Sequence, residues 1–270
     1  MDVDFLTSKS KAIRRSVIES LYHAKSGHLG GSLGLADVFA ILYFEVLNHR
    51  PEDWRWSDRD RLILSIGHVA PVLYATLAHS GYFPLSELNT LRKLGTRLQG
   101  HPSIEHQLPG IELAAGSLGQ GLSVSVGLAL AAKMDLKKFY TYCVLGDGEL
   151  QEGSVWEAAM SASHHQLNQL IAIVDRNVVQ IDGSTESVMQ LEPLKDKWMA
   201  FGWQVLECDG HDFKALKQAF SKAKSSKVQP SVIIAHTKMG KGVKSIEDNY
   251  KWHGKAPNEE EFNLFLNALD

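Results

Sequence analysis

Cysteine is scarce in these 270 residues, and the two present give no disulfide framework. Cys143 and Cys208 are far apart, lie outside any C-x-x-C pair and sit in apolar runs, a pattern of buried, reduced thiols in a cytoplasmic protein. Charge of one sign is lacking too. The 28 basic and 31 acidic residues nearly cancel and form no block, so nucleic acid is not an expected partner. Long apolar runs are missing: the longest, around Leu122 to Met134, is too short to span a bilayer, and no membrane association is expected. Lys9, Lys11, Arg14 and Arg15 precede no apolar signal core. No repeat or linker divides the chain, and 44% apolar residues suffice for one domain over residues 1–270.

What is present is an alternation of short apolar runs with amphipathic stretches. Ala12, Ile13, Ser16, Val17, Ser20 and Leu21 mark one face of a first helix, and Ala36 to Leu47 a second. Trp54 and Trp56, in the loop that follows, read as lids on core edges. Buried strands are expected at Arg61 to Ile66, Tyr140 to Leu145, Leu170 to Val174, Gln204 to Cys208 and Ser231 to Ala235. Leu122 to Val126 alternates like a strand, but the length and alanine content of the tract favour a helix. Gly202 suits a helix C′ position, Asp212 caps the helix bearing Phe213, Leu216, Phe220 and Ala223, and Asn258 with Glu261 forms a capping box. The fold class predicted is α/β, a mainly parallel, doubly wound sheet flanked by helices.

In such sheets ligands sit beyond the carboxyl ends of the strands. Two strand ends carry metal-binding chemistry. Gly146-Asp147-Gly148-Glu149 follows one, and Asn177-Val178-Val179 follows the next. Asp147 offers an anionic oxygen, Asn177 a neutral one and Val179 a backbone carbonyl. Three such oxygens leave room on an octahedral Mg²⁺ for water and two phosphate oxygens. Either motif alone is no more than a turn or a cap; the pairing of the two, 30 residues apart, is what points to a site.

Ser26-Gly27-His28-Leu29-Gly30, Gly67-His68, Gly100-His101-Pro102, Gly116-Ser117-Leu118-Gly119-Gln120-Gly121, Gly146-Asp147-Gly148-Glu149-Leu150-Gln151-Glu152-Gly153, Ile181-Asp182-Gly183 and His253-Gly254 follow in an order that resembles the transketolases, over essentially the whole chain. The resemblance implies a thiamine-diphosphate-binding fold, of which this is the diphosphate-binding domain. It implies that Asp147, Asn177 and the Val179 carbonyl hold Mg²⁺ (or Ca²⁺ or Mn²⁺). Gly146, Gly148 and His68 would hold the diphosphate. Gly116, Leu118 and Ile181 would line the rest of thiamine diphosphate, and Glu152 and Glu157 would approach a partner protomer. His28, His101 and His253 would face the substrate as the catalytic histidines.

A full transketolase carries pyrimidine-binding and C-terminal domains beyond this one, including the glutamate that activates the cofactor. This sequence runs only one helix past His253-Gly254. The expectation is therefore the N-terminal subunit of a split transketolase, assembled as α2β2 with a separate C-terminal subunit. It would transfer a two-carbon ketol unit from a ketose phosphate to an aldose phosphate, as in the pentose phosphate pathway. Competing readings are half of a deoxyxylulose-phosphate-synthase-like enzyme, a dehydrogenase α-subunit and a non-catalytic cofactor-binding module. A nicotinamide enzyme fits less well, since Gly116 to Gly121 reads G-x-x-G-x-G after no clear strand.

Overall fold

A computed structural model describes residues 2–270. Helices α1 (Val3–Ala24), α2 (Leu29–Gly34) and α3 (Ala36–Ile41) precede strand β1 (Arg61–Leu64) and α4 (Ala70–His79). After a long loop come α5 (Gly121–Met134), β2 (Thr141–Gly146), α6 (Gly153–His164) and β3 (Leu170–Arg176). A small hairpin, β4 (Val179–Gln180) with β5 (Gly183–Ser184), leads to α7 (Thr185–Val188) and α8 (Leu194–Ala200). The chain ends with β6 (Gln204–Asp209), α9 (Phe213–Lys224), β7 (Ser231–His236) and α10 (Glu259–Ala268).

The five long strands form one sheet in the order β1-β2-β3-β7-β6, parallel at every pairing. Parallel strands buried on both faces need apolar side chains at every position, and the pleat divides them. On one face Tyr142, Val144, Ile171, Ile173 and Ile233 pack against α1, α3, α4 and α9. On the other, Cys143, Leu145, Ala172, Val174 and Ile234 meet α5 and α6. The second face is built from small residues: Cys143 and Ala172 lie opposite Ala129, Ala158, Ala159 and Ala162. Close helix approach there also demands Gly121, where a Cβ would collide with the Ser65 side chain.

Local expectations hold at most places. The 122–134 tract is helical, Asp212 accepts from the Lys214 and Ala215 amides, and the Asn258–Glu261 capping box is formed. Gly202, at φ +82°, follows α8 at C′. Both cysteines are free and Cys143 is buried. Three details differ. The second helix stops at Ile41 and continues as a π-turn over Leu42–Val46. The glycine-rich 29–34 stretch, which lies between the two helices read from the sequence, is itself helical, and its glycines admit Met239 and Lys238 against the helix backbone. Strand β1 ends at Leu64, and Gly67–Val69 closes as a 3₁₀ turn. Trp54 and Trp56 are half-buried and stack under the guanidinium groups of Arg55 and Arg50. No helix of the described residues is long and apolar enough to cross a membrane.

Candidate functional site

One cavity of about 210 Å³ opens beyond the carboxyl ends of β1, β2 and β3. Parallel pairing places those ends together: Gly146 of β2 stands opposite Asp175 of β3, so the Gly146–Gly148 loop and Asn177 leave the sheet side by side. Asp147 is buried at 1% exposure. It accepts from the Gly148 amide at 2.8 Å, the Val178 amide at 2.7 Å and Arg176 at 3.1 Å. Burial still pushes its carboxyl up to about 6, with Arg176 the main opposing influence. Asn177 is fixed at both ends, donating to Asp175 and accepting from the Val179 amide, each at 2.9 Å. This turn is achieved with Val178 at φ +58°, a conformation costly for a β-branched residue.

The histidines come from four separate loops. The rings of His28, His68 and His253 form a triangle with centroids 4.9, 5.1 and 5.6 Å apart. Burial holds His28 down at about 4 and His68 at about 3, with neighbouring histidines adding to the effect. His253 is lowered by burial, and His101 by burial and the nearby Arg92. All four are therefore neutral at pH 7, each with one ring donor and one acceptor. Nδ1 of His28 is buried without a hydrogen-bond partner among the described residues, and the residue itself lines the cavity.

Of the residues singled out by sequence, His28, His68, His101, His253, Gly116, Leu118, Gly146, Asp147, Gly148, Asn177, Val179 and Ile181 all line this cavity. Ile181 stands 65% exposed at its wall, an apolar side chain without a covering partner. Glu152 and Glu157 do not line it. Glu152 precedes α6 and Glu157 lies on the exposed side of that helix. Among the described residues no three His, Cys, Asp or Glu side chains cluster to hold a metal. The Asp147–Asn177–Val179 set has one carboxylate and two neutral oxygens, and so is of another kind.

Sequence reasoning missed the brace beneath these loops. Glu149, buried at 2%, accepts from the Gly119 and Gly146 amides at 2.8 and 3.1 Å and from the Ser65 hydroxyl. One carboxylate thus ties the Gly116–Gly121 loop to β1 and β2. Its place beside Asp147 in the same glycine turn was the available signal. Arg176 was also missed: it donates to Asp147, Thr185, Glu186 and Glu192, anchoring α7 and the segment after it to the Asp147 wall. Asp175 accepts from Asn177 and Thr237.

Known proteins resemble this chain in sequence and in fold. Residues 7–269 match the transketolase thiamine diphosphate binding domain. The chain belongs to the transketolase family. It is 43% identical, over 97% of its length and 92% of the relative's, to one of the subunits of the apulose-4-phosphate transketolase of Phocaeicola vulgatus. It is 44% identical, over 98% of its length and 96% of the relative's, to the 6-deoxy-6-sulfo-D-fructose transketolase subunit SqwG of a Clostridium species. The Campylobacter jejuni transketolase structure superposes with a TM-score of 0.93 at 36% identity, covering 100% of this chain and 43% of that one. This transketolase domain has the thiamine-diphosphate-binding fold of its structural neighbours.

Proposed function

We propose that the chain is the N-terminal subunit of a split transketolase and works as one diphosphate-binding domain over residues 1–270. The supporting observation is that four histidines from separate loops share one cavity with the Asp147–Asn177 wall. Two relatives of nearly the same length are named as subunits, which supports a separate partner chain carrying the remaining domains. The assembly proposed is α2β2 in the cytoplasm.

The residues present fit the implied cofactor and metal. Asp147, Asn177 and the Val179 carbonyl would hold Mg²⁺, with a buried carboxylate whose raised pKa marks charge that a cation would offset. Gly146, Gly148 and His68 would meet the diphosphate. Gly116, Leu118 and the uncovered Ile181 would pack on the rings, and Glu152 and Glu157, outside the cavity, would reach the cofactor site across a contact between protomers. Thiamine diphosphate, when bound, supplies the electron sink for the two-carbon unit. The protein's own groups then orient and shuttle protons. His28 and His253, neutral and close together, can donate to and accept from the hydroxyls of a donor ketose. His101, exposed at the rim, suits the hydroxyls of the incoming aldose.

The substrates proposed are a ketose phosphate and an aldose phosphate. The test is co-expression with the partner chain and an assay with xylulose 5-phosphate and ribose 5-phosphate. Transfer by the pair and none by this chain alone is expected; full transfer by the chain alone would overturn the split assignment. A sulfonated ketose in a second arm tests whether the far anion is phosphate.

A further inference from the structure

The helix α2 that begins after His28 is covered by residues 238–240, the start of the loop that ends at His253. The strap lies directly on the helix backbone, with the Lys238 carbonyl and the Met239 side chain against its glycines. A Cβ on Gly34 would lie 2.9 Å from the Lys238 carbonyl oxygen, and one on Gly30 would meet Met239 at 2.8 Å. The Gly240 amide donates to the Gly30 carbonyl at 2.9 Å. Met239 lines the cavity, and the Asp248 amide donates back to its carbonyl at 3.0 Å. This strap therefore sets where His253 stands against His28.

One side chain from another element staples the strap. His211, in the loop between β6 and α9, accepts from the Lys238 amide at Nε2, 2.8 Å away. Its Nδ1 lies 2.7 Å from Asp37 Oδ2. A backbone amide can only donate and an ionised carboxylate can only accept, so only the neutral ring protonated at Nδ1 satisfies both. Asp37 is itself buried and held bidentately by Arg14 at 3.0 and 2.6 Å, which fixes the far end of the staple in the core. The ring is aimed by its own turn. The His211 amide donates to Asp209 at 2.8 Å, and a Cβ on Gly210 would press on Thr237 at 2.6 Å.

We infer that His211 is a positioning residue of the active site: through Lys238 it seats the 238–240 strap on α2 and so places His253 for the donor substrate. This rests on the proposed ketol transfer for its kinetic consequence, but not for its structural one. Gln and Asn separate the two bonds. Gln carries an acceptor near the Nε2 position and can keep the Lys238 amide; Asn carries a donor near Nδ1 and keeps only Asp37.

His211→Phe, His211→Asn and His211→Gln are compared in the assembled enzyme, with melting temperatures to confirm folding. Two readouts are followed: amide exchange at Lys238 and steady-state kinetics. The Phe and Asn variants should exchange the Lys238 amide at least tenfold faster. They should also raise KM for the donor ketose severalfold at unchanged cofactor stoichiometry, and Gln should restore both. Loss of bound cofactor in step with activity, with donor KM unchanged, would mean a merely structural role and overturn the inference. So would Gln behaving no better than Asn. If the wild-type pair transfers no ketol unit, the proposed function fails, and the exchange readout alone decides the strap.

Discussion

Asp147 is a carboxylate with three donors and still too little compensation. Two amides and a guanidinium hold it, yet burial leaves its pKa raised, to about 6. A nearby cation of higher charge density would favour its ionised form. Asp147→Ala should therefore abolish Mg²⁺-dependent thiamine diphosphate binding by the assembled enzyme; titration calorimetry showing unchanged affinity would remove Asp147 from the metal set. The buried histidines make a second prediction, with the opposite sign. Their folded pKa values, about 4 for His28 and about 3 for His68, lie below the ordinary 6.5. Across that window the unfolded chain binds more protons than the native one. The histidines' share of the stability of the cofactor-free chain should thus be full above pH 6.5 and fall as pH drops towards 4, by up to about one proton per histidine in slope, while the raised carboxyls of Asp147 and Asp175 act in the opposite sense. Urea midpoints at a series of pH values for the wild type and His68→Phe measure this as their difference, and the variant should gain stability relative to the wild type as pH falls from 6.5 towards 4.

At the scale of elements, the site depends on close packing between segments distant in sequence. Gly34 does not itself line the cavity, yet a side chain there would press on the Lys238 carbonyl and lift the strap from α2. Gly34→Ala should lower ketol transfer at least fivefold while costing about 1–3 kcal/mol of stability. Transfer kinetics with a denaturant titration check both. The Val178 turn is a comparable case on the metal side. Its left-handed backbone follows from Asp147 accepting the Val178 amide while Asn177 is held by Asp175. Elements legible from local pattern were found: the α9 stripe, the capping box and the buried strands of the sheet. The helical state of residues 29–34 was not, because glycine is a poor helix former and its use here answers to Met239 and Lys238, more than 200 positions away.

At the scale of the molecule, the cavity is walled by strand ends and by loops of this chain, with Ile181 left 65% exposed at its edge. If the cofactor bridges two subunits, it should stabilise the pair much more than this chain alone. With thiamine diphosphate and Mg²⁺ at about 100 times Kd, mass action contributes about 2.7 kcal/mol to the state that binds. A clear rise in Tm is expected for the assembled enzyme and little for the isolated chain; equal shifts would argue against a bridging site.

The sequence by itself determined the alternation of strands and helices, the capped ends, and the ordered Gly-His, Gly-Asp-Gly and Asn177 motifs from which the family and the cofactor's diphosphate end could be read. Those features are local: periodicity, turn chemistry and residue type within a few positions carry them. The tertiary structure alone gave the contacts among the histidines that the resemblance had singled out. His28, His68 and His253 converge, whereas His164 and His165 stay exposed at the end of α6. Tertiary structure also gave Glu149 its role as a brace and His211 its role as a staple. In sequence His211 is one more histidine after a glycine. Its partner Asp37, on α3, lies 174 positions away, and only the packing of that helix against α9 brings the two within a hydrogen bond.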